Sequence, residues 1–155
     1  MTTYFIAPMT CPHCGGITPD DSSTAMQTGL GDRPGLHQLR VGDVVPHFQA
    51  EIEREFIPLR PLPLHGAIII LQEWYCPSCG SRRFAHIVFD EDGRLTRIEA
   101  VPLTRGEFDK AHVADDRLAE FYQDVVGEPL YVQEALRPDF VNRLRAKLPD
   151  HDPMY

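Results

Sequence analysis

Apolar positions fall in short strand-length runs through most of the chain and switch to helical spacing near its end. Thr3 to Ala7 and Ala67 to Tyr75 (AIIILQEWY) are runs of the first kind. RRFAHIVF at 82–89 and RLTRIEAV at 94–101 are two further strands, split by DEDG, whose Asp92-Gly93 pair is a strong hairpin signal. LRVGDVV at 39–45 reads as strand, turn, strand. His47 to Ile57 fits two periods: Phe48, Ile52 and Phe56 mark a helical face, whereas Glu51, Glu53 and Glu55 alternate as on a strand edge. The strand reading is adopted. Thr18 to Leu36, rich in Gly, Ser, Asp and Pro, is expected to be a long mobile loop, and PLRPLP at 58–63 an extended connector, because its prolines donate no ladder hydrogen bond.

After residue 103 the pattern changes. Thr104-Arg-Gly-Glu107 matches a capping box, in which the threonine hydroxyl and the glutamate satisfy orphan N–H groups of a helix start. Leu118, Phe121, Tyr122 and Val125 share one face of an amphipathic helix that Gly127 ends. Pro138 begins another helix, with Phe140, Val141 and Leu144 as its packing side.

The chemistry lies in the cysteines. The chain has 155 residues and 4 cysteines, all in two matching phrases: CPHCG at Cys11 and Cys14, and CPSCG at Cys76 and Cys79. In Cys-x-x-Cys-Gly the turn aims both sulfurs at one point, backbone N–H groups donate to them, and the glycine follows where a positive φ is needed. Two such knuckles supply the ligands of a closed tetrahedral site. Cys11, Cys14, Cys76 and Cys79 are therefore assigned to one structural Zn2+ per chain, with iron, as in rubredoxins, as the alternative. A long insert between them is no obstacle, since loop closure grows only as the logarithm of length. Each knuckle follows an expected strand, and a hairpin follows the second. The fold expected is thus α+β: a zinc-ribbon-like antiparallel β framework over 1–103, with a long insert between the knuckles, and C-terminal helices over 104–155 packed on it or on a partner.

Charge narrows the partners. Acidic side chains outnumber basic ones, 23 to 15, and the formal net charge is −8. Lys and Arg are scattered, so nucleic acid is not an expected partner. The longest apolar run, Ala67 to Leu71, is far too short to span a bilayer, and the N-terminus carries no basic leader with a full apolar stretch, so no membrane is expected and the location expected is cytoplasmic. In that compartment thiols stay reduced, which favours a metal over disulfides.

The stretch EWYCPSCG, a β-rich segment ending in AVPL, and then AEFYQDVVGEPL resemble the small zinc-binding gamma subunit of acetone carboxylase and its relatives, which also pair an early Cys-x-x-Cys-Gly with a late Cys-Pro-x-Cys-Gly. The match covers Trp74 to Gly80 and Phe121 to Leu130, with Cys11 and Cys14 as the other knuckle. It implies a non-catalytic accessory subunit whose protein partners are the larger subunits of a carboxylase-like or hydantoinase-like hetero-oligomer. Tyr122, Glu128, Pro129 and Leu130 are the expected partner surface. The other readings are a free-standing acidic adaptor or inhibitor of a basic protein, and an iron electron carrier.

No catalytic residue is assigned. Four thiolates saturate a metal and leave no position for water, and the chain has no G-x-S-x-G, phosphate-cradling glycine loop or H-E-x-x-H. His13, inside its knuckle, is expected to face solvent. His65 and His86 are read as ordinary histidines, Asp90-Glu91-Asp92 as a solvated turn, and Asp20-Asp21 as loop.

Overall fold

The computed structural model describes residues 3–30, 38–55, 66–113, 123–127 and 138–150. In chain order its elements are strands β1 (Thr3–Phe5), β2 (Gln27–Thr28) and β3 (Gln38–Leu39), helix α1 (Phe48–Glu55), strands β4 (Ile68–Tyr75), β5 (Arg82–Phe89) and β6 (Leu95–Val101), and helices α2 (Arg105–Asp109) and α3 (Pro138–Lys147). The fold is α+β. Strands β4, β5 and β6 form an antiparallel sheet in that order, and β2, β1 and β3 form a smaller one in which β1 pairs antiparallel with β2 and parallel with β3.

β5, the central strand of the larger sheet, is buried on both faces from Arg83 to Phe89. Ile68, Ile70, Trp74, Ala85, Ile87, Phe89 and Leu95 point to one side, where they pack with Phe5, Met26 and Leu39 from the smaller-sheet region and with Phe48 and Ile52 from α1. Leu71, Phe84 and Val101 point to the other, against Phe108, Ala111, Leu144 and Leu148. A β-bulge makes this partition possible. Phe89 pairs with Leu95 but Val88 with Arg97, so Thr96 is an extra residue and Leu95 and Ile98 pack on the same face. The Thr96 hydroxyl donates to the Val88 carbonyl at 3.0 Å, which anchors the irregularity.

Two expectations are corrected. His47–Ile57 is not a strand where it is described: Phe48–Glu55 is helical. The buried positions are Phe48, Glu51 and Ile52, while Ala50 is exposed. That is the i, i+3, i+4 set of a helix; strand alternation would have buried Ala50 and exposed Glu51. The stacking of Phe48 on Phe89, with ring centroids 4.7 Å apart, outweighs the glutamate alternation. Nor is Thr18 to Leu30 a mobile loop. Thr18, Thr24, Met26 and Leu30 are buried, and Asp21 caps a 3-10 turn at Ser22–Thr24 by accepting from the Ser23 N–H. LRVGDVV holds the last residue of β3, Leu39, and a turn, but its second strand shrinks to a single bridge between Val44 and Arg94.

The C-terminal elements cover the second face. Thr104 is the N-cap of α2, its hydroxyl accepting from the Glu107 N–H, as the capping box predicts. The chain then runs beside β4, with the His112 N–H donating to the Ile69 carbonyl and the Leu71 N–H to the His112 carbonyl, both at 2.9 Å. Residues 123–126 are helical, and Gly127, at φ 84°, follows them. Val125 packs on this face, and Arg82 pairs with Asp124 at 2.7 Å. Leu118, Phe121, Tyr122, Glu128, Pro129 and Leu130 lie outside the described residues. Leu144 of α3 is fully buried here, so Leu144→Ala is expected to cost about 2–5 kcal/mol, measured by denaturant unfolding. Unchanged stability would show that α3 does not depend on the sheet.

Candidate metal centre

The two knuckles are built alike. β4 and β5 pair down to Tyr75 opposite Arg82, and the chain between them closes with the Cys76 N–H donating to the Ser81 carbonyl at 3.0 Å and the Gly80 N–H to the Cys76 carbonyl at 2.7 Å. The first knuckle repeats this at the same offsets. Thr10 bridges Ile17, the Cys11 N–H donates to the Gly16 carbonyl at 2.9 Å, and the Gly15 N–H donates to the Cys11 carbonyl at 2.8 Å. Gly15 and Gly80 take φ of 73° and 72°, a conformation that glycine adopts without steric cost and that each turn requires.

The tertiary fold brings the knuckles together. All four sulfurs lie within 4.8 Å of one another, and this is the one such ligand cluster among the described residues. Cys11 Sγ lies 3.8 Å from Cys79 Sγ, and Cys14 Sγ lies 3.7 Å from Cys76 Sγ. A tetrahedron of sulfurs placed about 2.3 Å from a central zinc has edges of about 3.8 Å. The cluster therefore has the size of a metal tetrathiolate, and its spacing is far from the roughly 2.05 Å of a disulfide. Cys11 and Cys76 are buried, whereas Cys14 and Cys79 form a solvent-facing edge.

The sulfurs also influence one another's ionisation. As bare thiols Cys11, Cys14 and Cys79 do not ionise alike. Burial pushes Cys11 up, but N–H groups of Cys14 and His13 and the Ser81 hydroxyl outweigh it and bring the thiol down to about 6. The Gly16 N–H favours the Cys14 thiolate, yet crowding by Cys76 and the other sulfurs drives it up to about 11. The Ser81 hydroxyl and N–H lower Cys79. Thiolates this close repel one another, and a divalent cation at the centre would relieve that repulsion.

Ser81 and Arg83 belong to this centre although the sequence reading did not single them out. Ser81 Oγ lies 3.0 Å from Cys79 Sγ and 3.6 Å from Cys11 Sγ, and Arg83 Nε donates to it at 3.3 Å. The available signal was the sixth letter of each knuckle: CPHCGG in the first, CPSCGS in the second.

The other polar candidates are occupied by structural work. His13 is exposed, as expected. His86 is buried beneath α2, its Nε2 3.1 Å from the Glu107 carbonyl, and burial lowers its pKa. Asp90 accepts from the N–H groups of Asp92 and Arg94, both at 3.0 Å, and so shapes the hairpin turn. Asp20 pairs with Arg40 and Asp21 is a cap. His65 lies outside the described residues. No helix among the described residues is long and apolar enough to cross a membrane. Compared with models of protein families, with curated proteins and with solved structures, the chain matches none.

Proposed function

We propose that the chain holds one structural zinc ion at Cys11, Cys14, Cys76 and Cys79 and serves as a non-catalytic accessory subunit of a larger carboxylase-like or hydantoinase-like assembly. The observation that carries the metal half is the closure of four sulfurs to tetrahedral spacing from two knuckles far apart in sequence. Four thiolates fill zinc's coordination and leave no place for a substrate or an activated water, so the ion's work is to clamp the N-terminal segment to the β4–β5 hairpin. The subunit half rests on the EWYCPSCG and FYQDVVGEPL resemblance, with Tyr122, Glu128, Pro129 and Leu130 as the docking surface.

Native affinity purification tests that half. Stoichiometric large subunits are expected, and Tyr122→Ala should weaken co-purification by roughly thirtyfold in affinity, the effect of losing an aromatic anchor, with melting temperature intact. No partner, or unchanged co-purification, would leave the acidic-adaptor reading in its place. The exposed edge formed by Cys14 and Cys79 favours a second reading, an iron electron carrier, because it brings the centre to the surface where electrons exchange. Colour separates the two: protein from its own host is expected to be colourless with one zinc per chain, and a red protein with stoichiometric iron would establish the second reading.

A further inference from the structure

The two knuckles match in backbone but not in how they guard their outer sulfurs. Cys14 and Cys79 are equivalent in the repeat, and both are exposed. Beside Cys79, the Ser81 hydroxyl lies at 3.0 Å, and a metal-bound thiolate can only accept, so the hydroxyl donates to it. Arg83 holds that hydroxyl in place: its Nε donates to Ser81 Oγ, the side chain is 7% exposed, and no carboxylate among the described residues pairs with it. Beside Cys14 the equivalent position is Gly16, whose N–H serves Cys14 as the Ser81 N–H serves Cys79 but which brings no side-chain donor. An ideal side-chain carbon built there would sit 3.4 Å from Cys14 Sγ, so this is the position from which a side chain would cover that sulfur.

We infer that Cys14 is the modification site of the centre, the ligand through which peroxides and soft electrophiles open it and release the metal. This rests on the zinc assignment proposed above. A hydrogen bond to a thiolate draws density from sulfur and makes it a poorer nucleophile, so Cys79, which takes the Ser81 hydroxyl in addition to a backbone N–H, is better protected than Cys14, which has the backbone N–H alone. With a peroxide, the Cys14 thiolate attacks one oxygen, the O–O bond breaks, and sulfenic acid and a hydroxide that takes a proton to become water are formed. A neighbouring thiolate, all of which lie within 4.8 Å, then displaces hydroxide from that sulfur to give a disulfide and a second water. Two thiolates supply the two electrons that reduce the peroxide. The metal, left with two sulfurs, leaves.

The test begins with metal analysis of the full chain, because protein without zinc would end the zinc assignment itself and not merely this inference. Zinc-loaded protein is then treated with substoichiometric iodoacetamide, whose iodide leaves as sulfur bonds carbon, and the first adduct is mapped by mass spectrometry while a chromogenic chelator follows zinc. Cys14 is expected to carry the first adduct, roughly fivefold ahead of Cys79, a ratio in the range of one hydrogen bond. Gly16→Ser should slow Cys14, Ser81→Ala should bring Cys79 level with it, and after peroxide the disulfide should include Cys14. First modification at Cys79, equal rates in the native protein, or a disulfide without Cys14 would overturn the inference. Because each rate is read as a ratio within one folded molecule, a general loosening of the fold would not reproduce the pattern.

Discussion

A Cys76→Ser protein is expected to lose its metal and with it the cooperative fold. Cys76 is 1% exposed and joins the main apolar core, so the site it helps form is continuous with the packing that holds α1 and both sheets. Structural zinc can contribute on the order of 10 kcal/mol, and a domain's net stability is itself about 5–15 kcal/mol. Serine keeps the volume but supplies a poor ligand. The expected product has no bound zinc, no sharp thermal transition and reduced near-UV dichroism, and chelation of the native protein should reach the same state. A Cys76→Ser chain that keeps its melting temperature while binding no metal would remove the structural role from the centre.

Gly93→Ala is expected to be among the most damaging changes outside the cysteines. Gly93 ends the β5–β6 turn at φ 85°, and a methyl there would meet Phe48 Cβ at 2.5 Å and the Val45 carbonyl at 2.9 Å. The Val45 N–H also donates to the Gly93 carbonyl at 2.9 Å, so the turn has little freedom to withdraw. The left-handed strain and the overpacking together should cost roughly 3–5 kcal/mol. Gly42→Ala is the control. Its φ is 101°, but nothing lies within 4 Å of the added carbon, so strain alone, roughly 1–2 kcal/mol, is expected. Equal losses in the two variants by chemical denaturation would show that the Phe48 contact is not what constrains Gly93.

These two predictions mark the boundary between what local sequence reveals and what it does not. The knuckles were legible because Cys-x-x-Cys-Gly specifies its own turn, and the observed hydrogen bonds around Gly15 and Gly80 are local. The three long strands, the Asp92-Gly93 turn, the Thr104 cap and the helix after Pro138 were legible for the same reason. Helix α1 was not. Its glutamates alternate as in a strand, and what selects the helix is the fit of Phe48 over Gly93 and against Phe89, contacts that exist only once the sheet is in place. The order of Thr18 to Leu30 was hidden likewise: Met26 and Leu30 are buried by residues distant in sequence, and a Gly- and Ser-rich composition does not announce that. At the centre itself the four clustered cysteines could be read from spacing, but the link from Arg83 through Ser81 to Cys79 depends on side chains meeting in three dimensions.

X-ray absorption at the zinc edge, on protein purified from its own host without added metal, tests the proposed four-sulfur coordination sphere most directly. The prediction is one zinc per chain with four sulfur neighbours at about 2.3 Å and no nitrogen or oxygen ligand. A sphere containing nitrogen or oxygen, or a protein whose cysteines are paired in disulfides with no metal bound, would contradict it.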